Sequence, residues 1–475
     1  MALQWLLGNL SGLRMDGGYP YGLQHFDTIF MHVALITRLV SVAMALGMVY
    51  WVYRIGRALH SHLAGFFAAC ILGFSPAIVY YVHVETLDVP MMFWLSAALY
   101  CYIRVLQTFG LRHYINLAIL AAISTATKDY AYGAFVLLPF YLVAALARHN
   151  SGEVTAASFA RAALDRRHFI ALGVFVVSFA IAENWIWNFS GFVNHVKVAG
   201  GFAPESANVI TTSFGRFDLL SPQRLASMAR ILVFVLGWVG FAAGILGVLY
   251  AGLRERRILV ILGWPAISYY VFTVCQVLPS DSEIERPYLP LGEILAIFGG
   301  LMLARAATAL PRMRRVILFG AFVPISLNGI AMDIALVTDP RYQAEKWLNT
   351  NAANGARIEL FGWRSELPRK SASLKMVIYN GAAPPLSDVQ LTKELVTPQA
   401  LTDRVPDWIV VSWAFLRDYS AEQGDAEQRA LHAFLQELRD GNLGYVEKAS
   451  FASMVPNALG FPPRLAPRVT IFGKR

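Results

Sequence analysis

The sequence predicts an α-helical polytopic membrane protein of about ten transmembrane helices, followed by a small C-terminal α/β extracytoplasmic domain. Three observations predict it. The 475 residues are 56% hydrophobic and only 15% charged, with a mean hydropathy of +0.49, where soluble chains carry about 25% charged residues. The apolar residues also fall in long blocks. After Val337 the composition changes, and charges, prolines and polar turns return.

The blocks justify the helices. Crossing about 30 Å of hydrocarbon takes roughly 20 helical residues, and a helix satisfies its own backbone hydrogen bonds in lipid. Such blocks run over residues 30–53, 63–82, 91–106, 114–127, 132–147, 169–187, 231–251, 258–278, 289–303 and 316–337. The block at Tyr114 is short: either half of a broken helix, or continued through Lys128. Gly240 and Gly244 have the small-xxx-small spacing of a helix-packing contact. Further on, residues 340–352 read as an amphipathic helix, 357–362 as a strand and 408–412 as a buried strand. Residues 427–439 read as a helix, and 445–449 and 469–472 as short strands. Alternating helices and strands make one small α/β domain. The chain therefore divides into a transmembrane domain over 1–337 and an extracytoplasmic domain over 338–475.

Charge placement sets the orientation. The net charge is +9, which in a soluble protein would point to nucleic acid. Here Arg54, Arg57, Arg104, Arg112, Arg148, Arg161, Arg166, Arg167, Arg254, Arg256, Arg257, Arg305, Arg312, Arg314 and Arg315 fall on alternate loops. The opposite loops hold few basic residues, among them Lys197, Arg216, Arg224 and Arg286. That asymmetry is the positive-inside pattern, so a nucleic-acid partner is excluded and the arginine-rich loops are cytoplasmic. Arg166 and Arg256 are expected inside, Lys197 and Trp408 outside. Both chain ends then lie on the non-cytoplasmic face of the membrane, which is expected to be a bacterial-type inner (plasma) membrane. The segment 1–29 shows no signal peptide, and an outer start without one suggests a further helix upstream. Cys70, Cys101 and Cys275 all sit within apolar blocks. They read as buried small hydrophobes, not a disulfide framework.

Polar residues at the outer helix mouths are the candidate site, because ionisable groups at a membrane are costly and usually kept for work. The first outer loop holds Asp16, Tyr19, His25 and Asp27; the second, YYVHVETLDVP, holds His83, Glu85 and Asp88. The third holds Lys128–Asp129, and the last carries Asp281, Glu283, Glu285, Arg286 and Tyr288. With the long aromatic loop 188–224, these suit an anionic lipid head group bearing a sugar. Blander readings stand beside each. Asp16 and Asp27 fit solvated loop carboxylates, and Asp88 fits a helix cap. Lys128 fits a snorkelling partner of Asp129. One histidine near acids is weak evidence for metal, so His83 fits an ordinary interfacial residue and no metal site is assigned. No P-loop, zinc spacing or nucleophile elbow is present.

Several stretches resemble the polyprenyl-phosphate-sugar glycosyltransferases of the GT-C superfamily. The nearest branch is protein-mannosyltransferase-like and includes the lipid A aminoarabinose transferases. The resemblance is carried by RLVSVAMALGMVYWVYRIGRALH and LAGFFAACILGFSPAIVYYVHVETLDVP, within residues 38–90, and by TATKDYAYGAFVLLP. RPYLPL at 286–291 is similar to an Arg-Tyr-x-x-Pro element, with Pro287 inserted, and DPRYQAEKWLNTN resembles the junction into the outer domain. The resemblance implies a GT-C-like bundle and an inverting sugar transfer on the outer face. The donor is then a polyprenyl-phosphate sugar and the acceptor a protein, lipid or glycan. It implies Lys128, Arg286 and Tyr288 at the donor phosphate, and His83, Glu85 and Asp129 around sugar or acceptor. Asp16, Asp27 and Asp88 become the catalytic carboxylates. The family's base is often an Asp-Glu pair after the first helix, and none precedes Asp16. Either Asp16 or Asp27 substitutes, or the base lies upstream of Met1. No cofactor is implied beyond the lipid-linked donor; a divalent metal is left open.

Two other classes fit polar helix mouths: a lipid or solute transporter, and an inactive membrane scaffold. A transporter usually shows inverted repeats and interrupted helices near the midplane. No internal repeat is visible, and the polar groups gather at one face.

Overall fold

The computed structural model describes residues 26–84, 86–199, 220–275, 285–362, 366–369, 373–379, 401, 403–413, 426–453, 455 and 467–475. The chain divides into two compact units, Met1–Ile330 and Ala331–Arg475, the division falling within the last apolar helix.

The first unit contains α1 (Phe26–Leu59), α2 (His62–Gly73), α3 (Pro76–His83), α4 (Asp88–Thr108) and α5 (Leu111–Thr127). A 3₁₀ turn, Asp129–Ala134, leads into α6 (Leu138–Ser151), α7 (Ala156–Ala163), α8 (Arg166–Ala182) and α9 (Phe189–Ala199). Then follow α10 (Pro222–Arg254), α11 (Arg256–Tyr269) and a 3₁₀ turn, Arg286–Tyr288. α12 (Leu289–Ala309) and α13 (Arg314–Val337) complete the apolar series. Every predicted block overlaps a helix among the described residues, but the helices differ in reach. Among the described residues seven helices are long and apolar enough to cross a membrane, and the bent pair α2–α3, at 55°, makes an eighth. α5 and α8 have 17 residues each, roughly 25 Å of helix and short of the hydrocarbon thickness. The count of about ten holds only if these two short helices also cross.

The bundle tolerates broken backbone where protein, not lipid, surrounds it. Within α10, Gly237 adopts φ +69° and interrupts the helix, a backbone region glycine enters without steric cost. The nearby Val235 carbonyl accepts from the Ser75 hydroxyl, at the break between α2 and α3. One serine thus joins two helix breaks. The two glycines of the predicted spacing face different helices, Gly244 against Leu295 of α12 and Gly240 against Ile71 of α2, and Gly247 joins Gly244 by lying against the backbone of Phe298. A Cβ at Gly247 would collide with that carbonyl, so α10 and α12 approach as closely as glycine allows.

The second unit carries α14 (Pro340–Asn351) and α15 (Ala426–Arg439) on a five-stranded sheet. Its strands are β1 (Arg357–Phe361), β2 (Lys375–Tyr379), β3 (Trp408–Ser412), β4 (Tyr445–Phe451) and β5 (Val469–Lys474), in the order β2-β1-β3-β5-β4. β2, β1 and β3 are parallel, and β5 runs antiparallel to β3 and β4. Alternating side chains feed two cores. Ile358, Leu360 and Val410 pack with Ala344 and Leu348 of α14. Phe361, Ile409 and Val411 pack with Leu431, Phe434 and Leu435 of α15. Glu359, buried in this alternation, is held by a bidentate pair with Arg404, Nε–Oε1 2.7 Å and Nη2–Oε2 3.1 Å. β2 is the one described strand that the sequence reading does not predict.

Candidate functional site

Asp88 opens α4, and the residue that caps the helix is Leu87, which makes no side-chain cap bond. The expected capping role is therefore not the one Asp88 takes. Its carboxylate is fully buried, and Oδ1 accepts from both the Lys128 ammonium and the Tyr130 hydroxyl. Lys128 ends α5 in extended backbone, φ −158°, ψ 120°. The helix that delivers it is tied to α4 by Ser124 Oγ donating to the Met91 carbonyl at 3.2 Å.

Tyr130 and Lys128 are steadied by the following turn. Thr273 Oγ1 donates to the Tyr130 carbonyl at 2.8 Å, and Ser268 Oγ to the Gly133 carbonyl at 2.5 Å. A Cβ at Gly133 would run into Thr273 Oγ1, so this glycine permits the turn to lie against the π-helical turn Tyr270–Val274 that continues α11. The Lys128 ammonium stands 4.8 Å from the centre of the Tyr130 ring, within cation–π range.

Arg286 reaches the same carboxylate from the turn before α12. Its Nε lies 4.0 Å from Asp88 Oδ2, and its guanidinium 5.4 Å from the centre of the Tyr81 ring. The Tyr81 hydroxyl donates to Glu285. Three segments far apart in sequence thus converge on one buried anion. The Lys128 and Arg286 side chains are 22% and 44% exposed against 0% for Asp88, so cationic groups form the open side. Burial pushes the Lys128 pKa down; Asp88 pulls it back up, and the nearby Arg286 lowers it. Such an arrangement can receive an anion on two cations held in place by a carboxylate behind them.

The remaining candidates divide. Asp88, expected among the catalytic carboxylates, has the geometry of an anchor: its charge is committed to Lys128 and Tyr130. Tyr288, expected at the phosphate, is buried beside Arg224 and Cys275. His83 is exposed, with Nδ1 2.7 Å from the Val79 carbonyl of its own helix. Asp129 pairs with His195 Nε2 at 3.0 Å, not with Lys128 as its sequence neighbour. Asp16, Glu85 and the side chain of Asp27 lie outside the described residues. Tyr81 and Tyr130 are participants that sequence reasoning missed. The only signal for them was adjacency to polar motifs. Among the described residues no group of three or more His, Cys, Asp or Glu is placed to hold a metal.

Comparison with known proteins bears on the same segments. The sequence pattern of the dolichyl-phosphate-mannose-protein mannosyltransferase family matches residues 18–187. That stretch includes Asp88, Lys128 and Tyr130, and the resemblance to polyprenyl-phosphate-sugar glycosyltransferases is shown there. No curated protein sequence matches the chain. Among solved structures, the apo oligosaccharyltransferase of Archaeoglobus fulgidus is similar with a TM-score of 0.45 at 11% identity, over 92% of this chain and 64% of that one. The chain thus spans just under two thirds of that enzyme. ArnT from Cupriavidus metallidurans, solved with undecaprenyl phosphate, gives 0.46 at 13% identity over 92% of this chain and 83% of that one. AglB from Archaeoglobus fulgidus, solved with an inhibitory peptide and a dolichol-phosphate, gives 0.43 at 10% identity over 100% and 80%.

Proposed function

We propose, on the premise that a chain carrying the mannosyltransferase pattern over residues 18–187 shares that chemistry, that it is an integral-membrane glycosyltransferase. It moves a sugar from a polyprenyl-phosphate donor to an acceptor on the arginine-poor side of the membrane. The observation that carries this reading is the pair of partly exposed cations, Lys128 and Arg286, converging on buried Asp88. The acceptor hydroxyl oxygen forms the new bond to the anomeric carbon as the bond from that carbon to the phosphate oxygen breaks. The electron pair leaves with the polyprenyl phosphate, whose growing charge the two cations stabilise. The hydroxyl proton passes to a carboxylate base, which we assign to Asp16 or Asp27. Asp88 orients the cations.

The test uses the purified chain with a polyprenyl-phosphate sugar and a hydroxyl acceptor. Lys128→Met and Arg286→Met should each lower transfer by about 10²–10³-fold, the usual effect of removing one transition-state donor. Donor carried across a vesicle membrane with its sugar–phosphate bond intact would replace this reading with a transporter. Full transfer in both variants would move the phosphate site elsewhere.

A further inference from the structure

We propose that the groove between α5, α6 and α8 holds one acyl chain of an anionic phospholipid from the leaflet on the arginine-rich side. The groove has a volume of about 540 Å³ and is walled by apolar side chains, among them Leu117, Ala118, Leu142 and Leu172. That size lies within the range of about 300–1,000 Å³ seen for small-molecule sites. Phe169 and Leu172 on α8 are 57% and 60% exposed, so the groove opens sideways, where lipid can enter.

Polar atoms show which way the occupant lies. Tyr114 near the start of α5 and His168 near the start of α8 both line the groove, with their rings 5.4 Å apart, edge to face. The Tyr114 hydroxyl and His168 Nε2 are buried and have no hydrogen-bond partner among the described residues. Leaving such groups dry is costly, and a polar head would satisfy them. Thr125, at the opposite end of the groove, also has an unpartnered hydroxyl. A helical threonine can turn its hydroxyl to the carbonyl one turn back, an option the two rings lack. Tyr114 and Thr125 are separated along α5 by roughly 16 Å, about the depth of one leaflet.

Charge identifies the head. Arg112, Arg148, Arg161 and Arg166 are all exposed and sit at the helix ends on this side. Acidic opposition nearby is slight: Asp165 is engaged by Arg167 at 2.8 Å, and Glu153 is exposed. An anionic phosphodiester head fits this collar, with its oxygens reaching Tyr114 and His168. A polyprenyl donor does not fit as well. With its phosphate on Lys128, at the other end of α5, it would present hydrocarbon to the two unpartnered polar atoms.

The test reconstitutes the full chain in phosphatidylcholine bilayers with one of three photoreactive-tail probes: phosphatidylglycerol, phosphatidylcholine or a polyprenyl phosphate. Cross-links are mapped by peptide mass spectrometry. The expected result is phosphatidylglycerol labelling around Ala118 and Leu172, well above the phosphatidylcholine probe. It should fall about tenfold in Tyr114→Phe/His168→Leu, as the loss of two net hydrogen bonds implies. The exposed pair Arg112→Gln/Arg166→Gln, which leaves the packing untouched, should weaken it as well. Equal labelling by phosphatidylcholine, labelling by the polyprenyl probe alone, or phosphatidylglycerol labelling indifferent to both double variants would each overturn the proposal.

Discussion

Arg286 Nε lies 4.0 Å from Asp88 Oδ2, the one oxygen of that buried carboxylate without a hydrogen-bond partner among the described residues. The other oxygen is taken by Lys128 and Tyr130. Arg286 is thus drawn towards the anion without being closed onto it, and its guanidinium keeps donors for a ligand. Lysine would keep the charge and lose the planar fork that binds phosphate through two parallel hydrogen bonds. Arg286→Lys is therefore expected to raise the donor KM and lower kcat, by roughly 10–100-fold in kcat/KM, less than full truncation costs. Steady-state kinetics over a donor series checks it, and wild-type values in Arg286→Lys would show that the fork is not used.

Asp88→Asn separates an anchor from a base. As an anchor, it should cost about 2–3 kcal/mol of stability, because hydrogen bonds to a charged group are lost. Donor affinity should fall with it as Lys128 and Arg286 lose their orienting charge. As a general base, the same change would instead lower kcat by about 10²–10⁴-fold with the thermal midpoint intact. Thermal unfolding beside donor titration distinguishes them, and we expect the first pattern.

What the sequence shows plainly is whatever is local. The ten apolar blocks are legible because lipid demands long apolar runs. Strand β3, WIVVS, is legible because a short run of branched apolar residues is bounded by polar turns. β2, KMVIY, is as long as β3 but opens on a lysine after a polar, basic stretch, so it looks equally like a loop. The site is where locality fails. Lys128 and Asp129 read as a pair because they are neighbours, yet Lys128 is extended, and successive side chains of an extended segment point to opposite sides. Lys128 accordingly turns to Asp88, forty positions away, and Asp129 to His195, sixty-six away. Tyr288 shares one tight turn with Arg286, yet the charged and thiol groups beside it are Arg224 and Cys275, both far away in sequence.

The His195–Asp129 contact should respond to pH. The hydrogen bond that His195 donates to Asp129 is the main reason the His195 pKa is raised; burial opposes it, and the charges of Asp129 and Glu183 reinforce it. Glu183 is itself raised by burial, against the opposing charge of His195. A raised histidine contributes stability that is complete below its unfolded pKa of about 6.5 and is lost as pH rises through its higher folded value. Docking of α9 should therefore be tightest in acid and loosen above neutrality. Amide hydrogen exchange across α9, measured at several pH values and corrected for intrinsic rates, reads this directly. Asp129→Asn should flatten the dependence, and an unchanged profile in that variant would place its origin elsewhere.

Gly133→Ala tests how packing outside the cluster sets its geometry. The added methyl would meet Thr273 Oγ1, the atom that holds the Tyr130 carbonyl, and Tyr130 in turn holds Asp88. Overpacking of this kind usually costs about 1–3 kcal/mol. Here it should also reduce donor affinity, because the turn carries Tyr130 and directly follows Lys128. Thr273→Ala removes the obstacle together with its hydrogen bond, so it should destabilise modestly alone. Combined, the two substitutions should cost less than the sum of their separate effects, by about 0.5–3 kcal/mol, as expected for residues in direct contact. A double-mutant cycle on thermal stability and donor binding measures this coupling. Strict additivity in both would mean that Thr273 yields freely, and that the position of Tyr130 is fixed by its bond to Asp88 instead of by the turn that follows α11.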